Sequence, residues 1–303
     1  MTALTKPLVR GPLRLGFGCS GPLGARWFSD SKAERLVRAA LDAGVTHFDT
    51  AGFYAEAERR LGAALRNVPN SETFVSTKIG TRNAGLKRVN DFSDHAIRAD
   101  VEASLRRLGR ERLDLVYLHG PGPATIDPAL RSLETLRTEG KIAHIGLCSA
   151  GQWLEAYCER PEIDVFMASY NIFFRAHAPV LTRVKARGKS VVAISPLAQA
   201  LYRTDFFAVR RPADLWRVAR ALTQDRTRID PVRRAARVLE EPGWSPSELA
   251  LAFVLNSPFI DVAVSTTSRL DHLQSLAGAA TRAMPDALYE RLAHGAHGDA
   301  ANA

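Results

Sequence analysis

The stretch that decides the fold is Gly44-Val45-Thr46-His47-Phe48-Asp49-Thr50-Ala51-Gly52-Phe53-Tyr54-Ala55-Glu56-Ala57-Glu58-Arg59-Arg60-Leu61-Gly62. It begins as a strand, with β-branched and aromatic residues at Val45, Thr46 and Phe48. It ends as a helix, because Ala57, Leu61 and Leu65 recur at helical spacing. Asp49 closes the strand and Tyr54 follows in the connecting loop or first turn. An acid and a phenol on a strand-to-helix turn sit where an α/β enzyme places its chemistry. Taken alone, the same residues also fit a cap at Asp49 and a packed ring at Tyr54, so the rest of the chain has to decide.

Working outward, short apolar runs recur at Leu13 to Phe17, Thr46 to Thr50, Thr73 to Thr77, Leu113 to Leu118, Ala143 to Leu147, Val165 to Ala168, Ser190 to Ile194 and Ile260 to Val264. Such runs suit strands buried on both faces of a parallel sheet. Helical patterns separate them near 30–43, 54–66, 93–108, 128–139, 151–159, 177–187, 246–256 and 269–280. Ser245-Pro246-Ser247-Glu248 reads as a capping box with proline at the first helical position. Eight β–α alternations without a composition break predict a single-domain (β/α)8 TIM barrel, with a doubly wound sheet as the competing architecture. The stretch 196–245, containing Arg211-Pro212 and Asp230-Pro231, reads as a large loop insertion after the seventh strand, with one or two short helices. In a barrel it would lie over the catalytic face. The Ala- and Gly-rich tail 294–303 is expected to be loose.

Composition narrows the class. The 303 residues are 46% hydrophobic and 24% charged, ordinary for a globular protein, and no apolar run approaches the ~20 residues of a membrane helix. The N-terminus has no apolar leader, and the three cysteines, Cys19, Cys148 and Cys158, lack the spacing of a disulfide framework or zinc site. A cytoplasmic enzyme without a metal is the expectation. The net charge of +9 comes from arginines interleaved with acids, and no nucleic-acid motif accompanies the denser region from Arg203 to Arg237. A basic mouth that attracts an anionic small molecule fits that charge equally well.

Two motifs pull in different directions. Gly16-Phe17-Gly18-Cys19-Ser20-Gly21 matches the dinucleotide fingerprint literally, but that fingerprint requires a helix to open within the glycine turn. Here Pro22, Leu23 and Gly24 follow, and helical character begins only near Asp30, so the match is a decoy. The informative constellation is dispersed. Lys78 ends the third strand and His119 ends the fourth, joining Asp49 at the end of the second. A lysine directly after a buried strand is costly unless an ion partners it. Strand-end groups on three successive strands converge on one mouth of a barrel.

The pattern resembles the aldo-keto reductases. The resemblance rests on Phe48-Asp49-Thr50-Ala51 with Tyr54, Glu58, Leu61 and Gly62, then on Ser76-Thr77-Lys78 and Leu118-His119. It continues through Ser169-Tyr170-Asn171, Ser195-Pro196-Leu197 and Ser265-Thr266-Thr267-Ser268 with His272-Leu273, from about Leu13 to Ala280. The leading Leu15-Gly16-Phe17-Gly18 is similar to the bacterial sugar- and aldose-dehydrogenase branch. What the resemblance implies is a catalytic tetrad of Asp49, Tyr54, Lys78 and His119 and a nicotinamide cofactor, NADP(H) with NAD(H) as the alternative. A free phenol titrates near ~10, and an adjacent ammonium favours its ionised form. Asp49 would keep Lys78 charged, and His119 would donate to the carbonyl oxygen. The implied cofactor surface comprises Gly18, Cys19, Ser149, Met167, Ile194, Ser195, Pro196, Leu197 and Gln199, with Ser265, Thr266, Thr267, Arg269 and His272 around the adenosine phosphate.

Several positions depart from the family pattern. Cys148-Ser149 stands where Ser-Asn is usual, Met167 replaces a glutamine, Ile194 replaces a stacking aromatic, and Ser275 and Leu276 occupy the usual adenine-contacting Glu and Asn. Trp27 and Phe53 are expected at the substrate pocket. Reduction of an aldehyde, ketone or sugar is the leading expectation, for a small-molecule substrate rather than a nucleic acid or membrane. A redox-neutral epimerase or dehydratase on the same tetrad, and a non-catalytic nucleotide-binding regulator, are the alternatives.

Overall fold

The computed structural model describes residues 7–84, 87–149, 151–210, 212–224 and 226–295; the expected loose tail therefore lies outside the described residues from 296 onward. Eight parallel strands close into a barrel: β1 (Leu15–Gly18), β2 (His47–Asp49), β3 (Phe74–Ile79), β6 (Leu113–His119), β7 (Ile142–Cys148), β8 (Val165–Ser169), β9 (Ser190–Ile194) and β10 (Val262–Ser265). Closure is made where β1 pairs with β10, Phe17 opposite Ser265, and with β2, Gly18 opposite Asp49. The doubly wound alternative is excluded, since an open sheet has no such closing pair. The remaining two strands, β4 (Thr81–Ala84) and β5 (Lys87–Asn90), form an antiparallel hairpin beyond the end of β3, which the sequence pattern does not predict.

Both faces of the barrel strands are covered. Alternate residues such as Phe74, Leu115, Tyr117, Val165, Met167, Val192, Val262 and Val264 fill the interior, with Leu8 of the N-terminal segment among them. The other set, including Phe48, Val75, Val116, Leu147, Phe166 and Val191, packs under the surrounding helices. Parity along each strand therefore assigns the mouth. On β3, Phe74 points inward and so does Lys78 four residues on; on β2, Phe48 points outward and Asp49 inward.

The helices are α1 (Asp30–Asp42), α2 (Ala57–Leu65), α3 (Asp94–Leu108), α4 (Pro123–Thr138), α5 (Gln152–Tyr157), α6 (Ala178–Ala186), α7 (Pro212–Gln224), α8 (Arg226–Arg234), α9 (Pro246–Asn256), α10 (Leu270–Thr281) and α11 (Asp286–Gly295). At α9 the capping box is complete: Ser245 Oγ accepts from the Glu248 amide, and Glu248 accepts from the Ser245 amide at 2.9 Å. Helix α4 begins five residues before the expected start, with Pro123 in its first turn and Pro128 inside it. The insertion after β9 carries α7, α8 and a 3-10 turn at Ala235–Leu239. After β1 the chain makes only a 3-10 turn, Gly21–Gly24, and α1 starts at Asp30, so the glycine run opens no helix.

The turn bearing Tyr54 is held from both sides. Glu58, 1% exposed on α2, accepts from Thr77 Oγ1 of β3 at 2.6 Å, Ser104 Oγ of α3 at 2.8 Å and Arg107 Nε at 2.6 Å. These charge-assisted bonds tie α2 and α3 to the strand that carries Lys78. Gly24 comes so close to the Tyr54 carbonyl that a Cβ there would lie 2.2 Å from its oxygen.

Candidate active site

A cavity of about 930 Å³ opens at the C-terminal mouth of the barrel. Asp49, Tyr54, Lys78 and His119 all line it, from the ends of β2, β3 and β6 and the turn after β2. Lys78 is 2% exposed and donates to Asp49 Oδ2 at 2.5 Å and to the Thr50 carbonyl at 2.9 Å. Ser76, next inward on β3, donates to the other Asp49 oxygen at 2.8 Å and fixes the carboxylate plane. The Lys78 ammonium lies 5.3 Å from the centre of the Tyr54 ring. Burial opposes its charge, but Asp49 first, then Tyr54 and Cys148, outweigh burial and hold the Lys78 pKa above the ordinary lysine value. The site thus keeps a fixed cation beside a phenol.

Phe53 links the aromatic members. Its ring stacks on His119 at 5.1 Å and 15°, and meets Tyr54 edge-on at 4.6 Å. His119 Nδ1 bonds Thr81 Oγ1 of the hairpin at 3.0 Å, leaving Nε2 as the ring's other polar atom. Burial, then the nearby charges of Lys78 and Arg88, push the imidazole pKa down to about 4. The ring is neutral at physiological pH, and it donates from Nε2 in the tautomer in which the Thr81 hydroxyl turns to Nδ1 from Asn90 Oδ1, its other acceptor at 3.0 Å. An NMR titration is expected to place the His119 midpoint near 4 rather than the usual ~6.5. Because the folded pKa lies below the unfolded one, the unfolded chain binds more protons between these values. Its contribution to stability is complete above about 6.5 and is lost as pH falls toward 4. An ordinary midpoint would show that the ring is solvated.

On the opposite side of the mouth lie Gly18, Ile194, Ser195, Pro196, Leu197, Gln199, Ser265, Thr266, Thr267, Arg269 and His272. Gly18 permits close approach, since a Cβ there would sit 2.5 Å from Thr266 Oγ1. Ser195, Ala198, Gln199 and Ala200 all have positive φ, between 45° and 61°. Non-glycine residues adopt that region at a cost, and such strain collects at ligand sites. Helix α10 starts here with Arg269 at its N-cap and no cap from that side chain, while the Asp271 carboxylate lies against the first-turn amides of Asp271 and His272. Thr267 Oγ1 bonds His272 Nδ1 at 3.1 Å. Arg269 is paired with Asp271, whose carboxyl it holds down at about 2.

Four residues expected at the site do not line the cavity. Cys19 and Met167 are fully buried, Cys19 under the helices and Met167 inside the barrel. The Ser149 amide donates to the Met167 carbonyl at 3.3 Å, and of the neighbours Cys148 and Ser149 it is Cys148, with inward parity like Gly146, that reaches the cavity. Burial, only partly offset by Lys78, pushes the Cys148 thiol up to about 11. Trp27 is 53% exposed and packs edge-on against Phe28 at 5.9 Å, on the segment leading out to α1. Conversely, Ser20, Asn83, Arg88, Arg203, Asp205, Arg210 and Asp214 line the cavity without having been singled out. The expected place of the 196–245 insertion and the arginine density after residue 203 signalled the last four of them; nothing pointed to Asn83 or Arg88. Among the described residues no cluster of His, Cys, Asp and Glu could hold a metal, and no helix is long and apolar enough to cross a membrane.

An eight-stranded parallel barrel with an ammonium–carboxylate pair, a phenol and an imidazole at its C-terminal mouth defines a class of barrel proteins equipped for proton transfer. Comparison with known proteins is more specific. The model of the aldo/keto reductase family matches residues 14–294, and the chain belongs to that family; it is an oxidoreductase. A D-threo-aldose 1-dehydrogenase from Pseudomonas sp is 30% identical over 318 residues, covering 92% of each chain. Among solved structures, the holo form of the aldo-keto reductase AKR11C1 from Bacillus halodurans is 25% identical, with a TM-score of 0.77 over 97% of each chain. The glycerol dehydrogenase AKR11B4 from Gluconobacter oxydans has the same fold, with 24% identity and a TM-score of 0.78 over 96% of this chain and 93% of that one.

Proposed function

We propose that this chain is an NADP(H)-dependent oxidoreductase that interconverts a carbonyl, in an aldehyde, ketone or sugar, with the corresponding alcohol. The observation carrying this reading is the buried Lys78, bonded to Asp49 at 2.5 Å and 5.3 Å from the Tyr54 ring centre, in a cavity shared with His119. When bound, the nicotinamide gives or takes the hydride. As charge develops on the substrate oxygen, Tyr54 supplies or removes its proton, and the Lys78 ammonium stabilises the phenolate left behind. Asp49 keeps Lys78 charged and aimed, while neutral His119 orients the oxygen from Nε2. The aldose dehydrogenase relative favours a sugar-like substrate for this cavity.

The residues present fit such a cofactor. Backbone amides at a helix N-terminus favour phosphate, and Thr266, Thr267, Ser268 and His272 add polar groups around the start of α10. A 2′-phosphate at Arg269 would compete with Asp271, which makes NADP preference testable. Arg269→Ala is expected to raise the KM for NADPH about tenfold with kcat little changed, and to leave KM for NADH nearly unaltered. Equal effects on both would remove Arg269 from the 2′-phosphate site.

The direct experiment supplies NADPH with simple aldehydes, and NADP with aldoses, and measures nicotinamide absorbance beside product. One nicotinamide turned over per product is the expected result. Product formed without nicotinamide consumption would favour the redox-neutral reading. Absence of both turnover and NADPH or NADH binding at millimolar concentration would end the proposal.

A further inference from the structure

The hairpin β4–β5 brings one more cation into the cavity. Arg88, on β5, places its guanidinium carbon 5.1 Å above the Phe53 ring, the same ring that stacks on His119 and meets Tyr54 edge-on. Asn83 of β4 donates to the Phe53 carbonyl at 2.8 Å, so the hairpin is anchored to the loop it covers. Of the other cavity arginines, Arg203 is neutralised by Asp205 and Arg269 by Asp271, while Arg210 lies on the insertion after β9, its backbone amide donating to Asp214 at 3.0 Å. Among the described residues the Arg88 side chain forms no ion pair and no hydrogen bond, although it is held over an aromatic face. A cation–π contact uses the charge of a guanidinium without occupying its N–H groups, which are left for an acceptor.

We propose that Arg88 determines substrate specificity and that the substrate carries an anionic group, a carboxylate or phosphate, at the end remote from its reacting carbon. This rests on the carbonyl–alcohol reading above and adds the substrate class to it. From His119 to Phe53, and from Phe53 to Arg88, are two steps of 5.1 Å each, so the separation from imidazole to guanidinium is no more than their combined length. A carbonyl held at His119 and an acceptor held at Arg88 are then spanned by a short chain or a single ring. The anion is distinct from any phosphate at α10, because the hairpin follows β3, which is separated from β10 around the barrel by β2 and β1. A planar guanidinium fork also selects oxyanions over hydroxyls, which carry no charge and no second oxygen to complete a bidentate pair.

Binding of benzamide, benzoate and phenyl phosphate, measured by calorimetry on the purified protein with NADP present, tests this without turnover. At least one anion is expected to bind about tenfold more tightly than benzamide, the scale of a charge-assisted hydrogen bond. The benzoate and phenyl phosphate arms tell a carboxylate from a phosphate. Arg88→Gln should remove the preference and Arg88→Lys should keep part of it, with melting temperatures checking that both variants fold. Equal affinity for all three compounds, or a preference that survives in Arg88→Gln, would overturn the assignment. Turnover of 4-formylbenzoate and benzaldehyde with NADPH is scored separately. If neither reacts, carbonyl reduction is in question while the binding ratio still decides the role of Arg88.

Discussion

Tyr54→Phe is expected to lower kcat/KM by about 10³, while NADPH binds with unchanged affinity and the melting temperature stays within a degree or so. The variant removes one oxygen and little else. The ring keeps its edge contact with Phe53, and the Lys78 ammonium keeps an aromatic face 5.3 Å from its centre. What is lost is the only phenol among the residues lining the cavity. His119 is a poor substitute as proton donor, because a group with a pKa of about 4 carries almost no extra proton at neutral pH. General acid–base participation typically contributes ~10²–10⁴ in rate, so the expected loss is within that range. Steady-state kinetics on one aldehyde, with cofactor affinity read from tryptophan fluorescence, separate the outcomes. A small loss of rate would assign proton transfer to another group, and parallel loss of cofactor affinity would make Tyr54 a binding residue. A regulatory protein that only binds nucleotide would show neither.

The eight barrel strands and their order are legible in the sequence because each is a short, apolar run ended by a polar group. Asp49, Lys78 and His119 stand out for the same reason: an ionisable group directly after a buried run is conspicuous. Facing is another matter. In a strand covered on both sides, apolar residues occupy both parities, so alternation carries little information. Ser149 and Met167 are expected at the cofactor because they stand at family positions, and alternation does not show that Cys148, next to Ser149, is the group that reaches the cavity. A one-residue change of parity moves a side chain to the opposite face. The hairpin Thr81–Ala84 with Lys87–Asn90 escaped for a different reason, since its strands are short and polar and its residues largely solvent-facing. With it went Arg88, whose relation to His119 is set by tertiary contact through Phe53. Helix α11 shows only Leu288 and Leu292 as buried anchors at helical spacing, too few to distinguish it from the tail that follows.

The ion pair between Lys78 and Asp49 makes a sharper test, because its effects on stability and on chemistry should come apart. Lys78→Met leaves the Asp49 carboxylate buried with Ser76 as its remaining hydrogen-bond donor. Asp49→Asn leaves the ammonium without a counter-ion, facing only neutral acceptors such as the Thr50 carbonyl. Breaking a buried pair from one side costs about 3–5 kcal/mol, whereas replacing both partners is often nearly neutral. The single variants are therefore expected to unfold at clearly lower denaturant concentration. The double variant Asp49→Asn/Lys78→Met should recover most of that loss, giving a coupling energy of about 2–4 kcal/mol. Activity should not follow: the phenolate of Tyr54 has lost its cation in both Lys78→Met and the double variant, and each should fall by about 10² or more in kcat/KM. Asp49→Asn, which retains the lysine, should keep more activity than either. A double variant that regains activity along with stability would mean the pair serves the fold alone. One that regains neither would show that the interior cannot close around the exchanged side chains, and that Ser76 and Thr50 depend on the charges they now hold in place.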